Sequence, residues 1–125
     1  MIERIDHLVF TVRDLNKTIH FYTNVLGMEL VTFGEDRKAL VFGHQKINLH
    51  EYGNEFEPKA NKPLPGSEDL CFITSISIAE IVEHLDTQGI EIEEGPVQRT
   101  GAMAPITSVY IRDPDGNLIE LSSYS

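Results

Sequence analysis

Apolar residues recur along the chain with strand-like and then helix-like spacing, and this order occurs twice. In the first half, residues 5–12 predict a strand, and Asp14 is suited to cap a helix that follows. One apolar face of that helix comprises Leu15, Ile19, Tyr22 and Leu26. Gly27 is suited to end the helix. Three further strands are predicted at about residues 28–34, 39–42 and 47–52.

The second half repeats this order of elements. Residues 69–74 predict a strand, and Ser77 with Glu80 forms the pattern of a capping box. The apolar face of the helix comprises Ile78, Ile81, Val82 and Leu85, and the helix ends near Gly89. Three strands are predicted at about residues 91–94, 106–112 and 117–122. The last two are separated by a segment with strong turn chemistry, residues 113–116.

Two positions support an internal duplication. The word GMEL that begins at Gly27 aligns with GIEI that begins at Gly89, an offset of 89 − 27 = 62, and the same offset carries His7 onto Asp69. The sequence therefore predicts one α+β domain, residues 1–125, built from two tandem βαβββ modules. Module one covers about residues 1–52, a linker rich in proline about 53–67, and module two about 68–125. The modules should form a curved, partly barrel-like mixed sheet with a cavity.

Composition restricts the classes of partner. With 20 acidic against 10 basic residues the net charge is −10, which argues against nucleic acid or an anionic membrane as a partner. The lone cysteine, Cys71, excludes an intramolecular disulfide. The first residues lack the pattern of a secretory signal, and no apolar stretch has the length of a membrane span. We therefore expect a cytoplasmic protein with a small-molecule partner.

Four polar residues lie on the first and last predicted strands of the modules. These are His7 and His50 in module one, and Asp69 and Glu120 in module two. Glu120 stands within an otherwise apolar strand, where a carboxylate is costly unless it is paired or bound to a cation. Two imidazoles with one or two carboxylates suit a divalent ion such as Zn, Ni, Mn, Co or Fe. A structural or surface role is the alternative for each of the four.

Several words of the sequence resemble the glyoxalase/bleomycin-resistance/extradiol-dioxygenase (vicinal-oxygen-chelate) superfamily. They are DHLV from Asp6, FY at Phe21 ahead of LGM, and DPDGN from Asp113 ahead of IEL. The words INLH and PGS before DLC are closest to the glyoxalase-domain-containing-5 and bacterial virulence-associated group. This resemblance implies His7, His50 and Glu120 as metal ligands. The remaining ligand position is Asp69 here, implied as a fourth ligand or as a residue that orients one. It also implies a homodimer in which modules of two chains complete each site.

The resemblance implies a metal-dependent enzyme acting on a small substrate with two adjacent oxygens, of the lactoylglutathione-lyase type, with Glu120 as the catalytic base. One alternative is an extradiol-type iron(II) dioxygenase, because two histidines and one carboxylate match its ligand set. The other is a protein that sequesters a drug or metabolite without chemistry. Metal content and oxygen uptake with a catechol distinguish these functions.

Overall fold

The computed structural model describes residues 1–124, and the chain divides into two compact units, one of residues 1–67 and one that begins at Glu68. The first unit contains strand β1 (His7–Val12), helix α1 (Leu15–His20), a π-helical turn (Phe21–Val25), and strands β2 (Glu29–Phe33), β3 (Arg37–Phe42) and β4 (Gln45–Glu51). The second contains β5 (Asp69–Ile73), α2 (Ile78–Thr87), β6 (Glu94–Thr100), β7 (Pro105–Arg112) and β8 (Leu118–Ser123). The predicted α+β class, with βαβββ order in each half, is confirmed; the single-domain organisation stays a prediction.

Each unit folds its four strands into one mixed sheet with the same connectivity. The strand order is β1-β4-β3-β2 in the first sheet and β5-β8-β7-β6 in the second. The first and last strands of each unit pair in parallel, whereas the remaining pairs are antiparallel. A parallel pair needs a long crossover, which the intervening helix and two strands supply. The first and last strands of each unit are therefore neighbours at one side of its sheet.

One side of each sheet carries most of the apolar core. In the first unit this core includes Phe10, Leu40, Ile47 and Leu49; in the second it includes Val109, Ile111, Ile119 and Leu121. Because side chains alternate along a strand, the residues between these positions project from the other side. We call that other side the polar face of each sheet. On β1 and β4 it carries His7, Val9, Thr11, Lys46, Asn48 and His50, and on β5 and β8 it carries Asp69, Cys71, Ile73, Leu118, Glu120 and Ser122.

The helices begin where the sequence predicts. The side chain of Asp14 accepts a hydrogen bond from the backbone N–H of Lys17 (3.0 Å). The Ser77 hydroxyl accepts one from the N–H of Glu80 (3.2 Å). Each cap satisfies one of the donors that a helix leaves open at its first turn. None of the described helices has the length and apolarity that a membrane span requires.

The buried face of the first helical segment differs from the predicted one. Its buried residues are Thr18, Phe21, Tyr22 and Val25, whereas Leu15, Ile19 and Leu26 are only half-buried. Both sets have helical spacing and share Tyr22. The packed set contains a second aromatic ring, and Phe21 and Tyr22 meet edge to face with ring centroids 5.2 Å apart. The π-helical turn that starts at Phe21 also changes the spacing of the residues after it.

The prediction for strand β6 was wrong. The predicted strand of residues 91–94 ends where the observed strand, Glu94–Thr100, begins. Gly95 and Pro96 stand at its start, and such residues usually mark a turn rather than a strand. Here the strand accommodates them through a register shift between Glu94 and Val97 against β7. An edge strand tolerates this, because one of its sides has no ladder to maintain.

Candidate metal and substrate site

His7 is the first residue of β1 and presents one ring nitrogen to solvent. Its Nδ1 lies 2.9 Å from Oδ2 of Asp6, and both side chains are exposed. This hydrogen bond, more than the nearby positive charges, lowers the pKa of the Asp6 carboxyl below its ordinary value. A carboxylate on one imidazole nitrogen is the arrangement that orients metal-binding histidines in proteins, since it fixes the ring and the tautomer. Nε2 of His7 is left as the atom for a ligand.

The parallel register of β1 and β4 separates the two predicted histidines. His7 lies opposite Lys46, and His50 lies opposite Thr11, four positions further along. At about 3.3 Å per residue this places the two side chains roughly 13 Å apart along the sheet. Asn48 lies opposite Val9, only two positions beyond His7, and projects from the same face. Within this sheet, Asn48 is therefore closer to His7 than His50 is.

The second sheet repeats this geometry with different residues. Asp69 is the first residue of β5 and lies opposite Leu118, and Glu120 lies opposite Cys71, two positions further along. The pair Asp69 and Glu120 therefore has the same placement as the pair His7 and Asn48. The last strands of the two units therefore correspond at an offset of 72, since 48 + 72 = 120, and the same step carries His50 onto Ser122. The duplication makes Asn48, rather than His50, the counterpart of Glu120.

Buried hydroxyl groups hold the Glu120 carboxylate in place. Ser108 Oγ donates a hydrogen bond of 2.6 Å to Oε2 of Glu120 and lies 2.6 Å from Ser122 Oγ. Ser122 Oγ in turn lies 3.2 Å from Cys71 Sγ. Both serines are fully buried, so their hydrogen bonds are not exchanged with water. Both serine hydroxyls are directed at Oε2, so Oε1 of Glu120 is the oxygen available to a cation or a substrate.

His50 lies in a different environment from His7. It is 3% exposed, its ring meets that of Phe56 edge to face at 5.5 Å, and its Nε2 has no hydrogen-bond partner among the described residues. Burial lowers the pKa of His50 below its ordinary value, and the positive charge of Arg37 lowers it further. The same strand carries a second buried atom with no partner in the described chain, Oδ1 of Asn48. Buried polar atoms without a protein partner are uncommon in folded proteins, and water, an ion or a ligand usually satisfies them.

Comparison with known proteins identifies the family. The family model of the "Glyoxalase/Bleomycin resistance protein/Dioxygenase superfamily" matches residues 4–121. The chain belongs to this superfamily. It is 62% identical over 99% of its length to the virulence protein STM3117 of Salmonella typhimurium, of which the match covers 86%. The crystal structure of that protein superposes with a TM-score of 0.98, covering 100% of this chain and 99% of the other.

Two further proteins are similar to this chain over nearly its whole length. The glyoxalase domain-containing protein RDO1 of Mycosarcoma maydis is 62% identical over 98% of the chain, and the match covers 69% of that protein. The metallothiol transferase FosB of Staphylococcus epidermidis is 28% identical over 96% of the chain and is covered to 81%. The resemblance to glyoxalase-domain and virulence-associated proteins is therefore confirmed.

The four site residues predicted from the sequence lie in different units of the chain, two in each. His7 and His50 lie in the first sheet, and Asp69 and Glu120 lie in the second. Among residues 1–124, no three His, Cys, Asp or Glu side chains converge in a way that could hold an ion. Each unit thus contributes a pair of candidate donors, and neither pair alone makes a complete ligand set.

Sequence reasoning missed three residues of the site. Asn48 gave no signal of its own, since an amide between two apolar residues is ordinary in a half-buried strand. Its position became informative only through the register against β1. Ser108 and Ser122 were missed because small hydroxyl residues are common in strands. The signal that could have found them is their place opposite each other, with Glu120 two residues before Ser122.

Proposed function

We propose that this chain is a metal-dependent enzyme that acts on a small substrate with two adjacent oxygens, of the lactoylglutathione-lyase type. One observation carries the proposal. His7 and Glu120 each have one polar atom anchored, at Asp6 and at Ser108 respectively, and a second atom left for a ligand. Anchoring one atom while exposing the other is how proteins orient metal ligands. The relative named a metallothiol transferase supports the involvement of a metal.

The donor set fits a divalent ion of intermediate softness, such as Zn, Ni, Mn, Co or Fe. Imidazole and carboxylate are both ordinary ligands for these ions. In this proposal His7 and Glu120 are ligands, and Asp69 is a fourth ligand or orients one. The sequence also predicted His50 as the third ligand, and that role stays a prediction. The register favours Asn48 for that position, because its buried Oδ1 has no partner in the described chain and lies two positions from His7.

In this proposal the metal is bound by ligand atoms from a first unit and from a second unit, and we propose that a homodimer brings the two together. The first unit of one chain would contribute His7, and the second unit of the other chain would contribute Asp69 and Glu120. Two equivalent sites per dimer follow from this exchange, because a two-fold interface uses the same surfaces twice. Light scattering should then give a mass of twice 14.1 kDa at micromolar concentration. A monomer that retains its metal would contradict the shared site.

The reaction would use the anchored carboxylate as a base. A bound divalent ion supplies Lewis-acid stabilisation of the negative charge that develops on the chelating oxygens. With Oε1 released from its ligand role, Glu120 would take a proton from the carbon beside those oxygens and return it to the neighbouring carbon. Ser108 holds Oε2 during this transfer, so the carboxylate keeps its orientation whether it is charged or neutral.

Metal analysis of the purified protein tests this proposal most directly. The wild type should contain close to one divalent ion per chain after metal loading, and both His7→Ala and Glu120→Ala should lose most of it while remaining folded. His44→Ala and Glu83→Ala are matched controls, since both residues are exposed and lie outside the candidate site. Unchanged metal content in both site variants would overturn the proposal. It would favour the alternative in which the protein sequesters a drug or metabolite without chemistry.

Three further substitutions separate the candidate ligands. Asn48→Ala should lower the metal affinity more than His50→Ala if the register identifies the ligand correctly. The opposite order would restore His50 as the third ligand. Asp69→Ala decides the role of that carboxylate: a large loss of metal makes it a ligand, whereas retained metal with altered turnover makes it an orienting residue.

A further inference from the structure

Two cationic side chains on the polar face of the first sheet converge on one aromatic ring. Nζ of Lys46 lies 4.0 Å from the centroid of the Phe33 ring, and the guanidinium carbon of Arg37 lies 5.2 Å from it. The Arg37 guanidinium also lies 4.4 Å from the ring centroid of Phe56. Phe33, Arg37 and Lys46 belong to β2, β3 and β4, so three adjacent strands bring these groups together.

Neither cation forms an ion pair within the part of the chain that the structure describes; the charge of Lys46 acts on Asp6 only as a minor cause of that carboxyl's lowered pKa. Lys38, next to Arg37, is paired with Asp36 at 2.8 Å, and Lys59 lies 3.6 Å from Glu55 and 3.3 Å from Glu57. Arg37 and Lys46 form no such pair among residues 1–124. The protein has 20 acidic residues against 10 basic ones, so a cation without an acidic partner is unexpected. Two like charges beside one ring repel each other, and an anion between them would remove that cost.

A third polar group lies beside the same cluster. The ring of Phe56 contacts both the Arg37 guanidinium at 4.4 Å and the His50 ring at 5.5 Å. Nε2 of His50 is buried and has no partner in the described residues. In the tautomer that carries its proton on Nε2, His50 is a hydrogen-bond donor. The cluster therefore presents a guanidinium, an ammonium and an imidazole donor around two aromatic rings, and the carboxylate that acts on His50, Glu55, is already paired with Lys59 at 3.6 Å.

We propose that this cluster, Phe33, Arg37, Lys46, His50 and Phe56, binds the anionic group of the substrate. The ligand class is a small carboxylate or phosphonate attached to a flat apolar group. Arg37 supplies two parallel N–H donors to the anion, Lys46 supplies the second positive charge, and the Phe56 ring, 39% exposed, packs against the apolar part. The inference rests on the proposed function, since it names the substrate class for that same enzyme. It assigns His50 to the substrate rather than to the metal.

Binding of benzoate to the full-length protein tests this proposal. Benzoate combines a carboxylate with a flat apolar ring, and benzamide has nearly the same shape without the charge. Calorimetry should show benzoate binding that is at least about tenfold tighter than benzamide binding, as expected for a charge-assisted bidentate contact. Phenylphosphonate should bind as benzoate does. Each titration is made on metal-loaded protein and repeated after treatment with a chelator.

Arg37→Gln and Lys38→Gln form the matched pair of variants. The two residues are neighbours on β3 and project from opposite faces, and Lys38 is already paired with Asp36. Arg37→Gln should weaken benzoate binding by about tenfold or more, whereas Lys38→Gln should change it by less than about twofold. Thermal unfolding of both variants confirms that they fold.

The outcomes separate this proposal from the metal hypothesis. Benzoate binding that survives the chelator and is lost in Arg37→Gln supports the anion site, even if no metal is ever found. Binding that requires metal and is unaffected by Arg37→Gln places the carboxylate on the ion and overturns the anion site. Equal affinities for benzoate and benzamide, or no benzoate binding by the folded wild type, overturn it as well.

Discussion

The two sheets of this chain share their strand order, yet they differ in whether the polar side chains on the last strand have hydrogen-bond partners. In the second sheet, Glu120 is held by Ser108, and Ser122 and Cys71 extend the same network. In the first sheet, the counterparts of Glu120 and Ser122 are Asn48 and His50, and each has a buried atom without a partner in the described residues. The second sheet therefore holds one oxygen of Glu120 internally, whereas the first sheet leaves a buried atom of Asn48 and of His50 without a partner among the described residues.

Under the proposed function, this difference divides the work of one site between the two halves of a duplicated scaffold. A base or a metal ligand must be held in one orientation before the substrate arrives, and the hydroxyl network of the second sheet does that for Glu120. A recognition surface instead gains affinity from groups that find their partner only in the complex. The unpaired polar atoms of the first sheet, an acceptor on Asn48 and a ring nitrogen on His50, have that character together with the cations beside them. The cost of leaving them unpaired is carried by the folded protein until a ligand binds.

The largest effect on the free energy of unfolding is expected in the apolar cores, where the two sheets are most alike. Ile47 and Ile119 occupy equivalent positions, since 47 + 72 = 119, and both are fully buried. Replacement of either with Ala should lower the free energy of unfolding by about 2–5 kcal/mol, as large-to-small core substitutions do. Urea denaturation measures both variants, and Ile2→Ala, at a residue 83% exposed, is the control. A loss in one sheet far below that in the other would break the equivalence of the two cores.

A second prediction concerns the hydrogen bond that holds Glu120 in the second sheet. Ser108→Ala deletes the donor to Oε2 of Glu120, so the carboxylate loses its orientation while keeping its charge. Metal affinity should fall by about 10–100-fold, the usual effect of losing a residue that orients a metal ligand. A metal titration measures this effect. Thr107→Ala, at the adjacent residue on the other face of β7, should leave the affinity unchanged. Equal affinities in the two variants would mean that Ser108 serves packing alone.

A third prediction concerns the open face of the first sheet. Asn48→Leu keeps a similar volume and removes a buried oxygen without a partner in the described chain, so the metal-free protein should become more stable by about 1 kcal/mol. The metal-loaded protein should lose that advantage, because a ligand is gone. Thermal unfolding with and without a chelator gives both values. Destabilisation of the metal-free form, with the metal effect unchanged, would remove Asn48 from the site.

The sequence predicted the order of the elements because its local signals agree with each other. The caps at Asp14 and Ser77, the glycines after both helices and the alternation along β5 and β8 all favour the observed structure. Strand β6 was missed since Gly95 and Pro96 favour a turn locally, and only pairing with β7 makes that segment a strand.

Much of the site could not be predicted for a related reason. His7 was found because a metal-binding residue at a strand end is visible in the sequence, and Glu120 because a carboxylate stands out within an apolar strand. Asn48 and Ser108 depend on which residue lies opposite which, and register is a property of paired strands rather than of either one. The convergence of Arg37 and Lys46 on Phe33 likewise involves three strands and leaves no local pattern.

The smallest effect on stability is expected at an exposed ion pair of the second unit that has no counterpart at the equivalent position of the first sheet. Arg112 donates from Nε and Nη2 to the two carboxylate oxygens of Glu93, at 3.0 and 3.1 Å, and Val41 holds the corresponding place in the first sheet. This contact lowers the pKa of Glu93 below its ordinary value of 4.5. A carboxyl group with a depressed folded pKa stabilises the protein above its unfolded pKa and loses that contribution as the pH falls through the folded value.

Glu93→Gln should therefore lower the melting temperature slightly at neutral pH, and the difference from wild type should shrink as the pH falls below 4.5. Added salt should shrink it too, since both side chains are about half exposed. Glu91→Gln, at a nearby exposed carboxylate, is the control and should show neither trend. A difference that persists undiminished at the lowest pH would mean that the Glu93 side chain contributes through packing. The ion pair would then cease to distinguish the second sheet from the first.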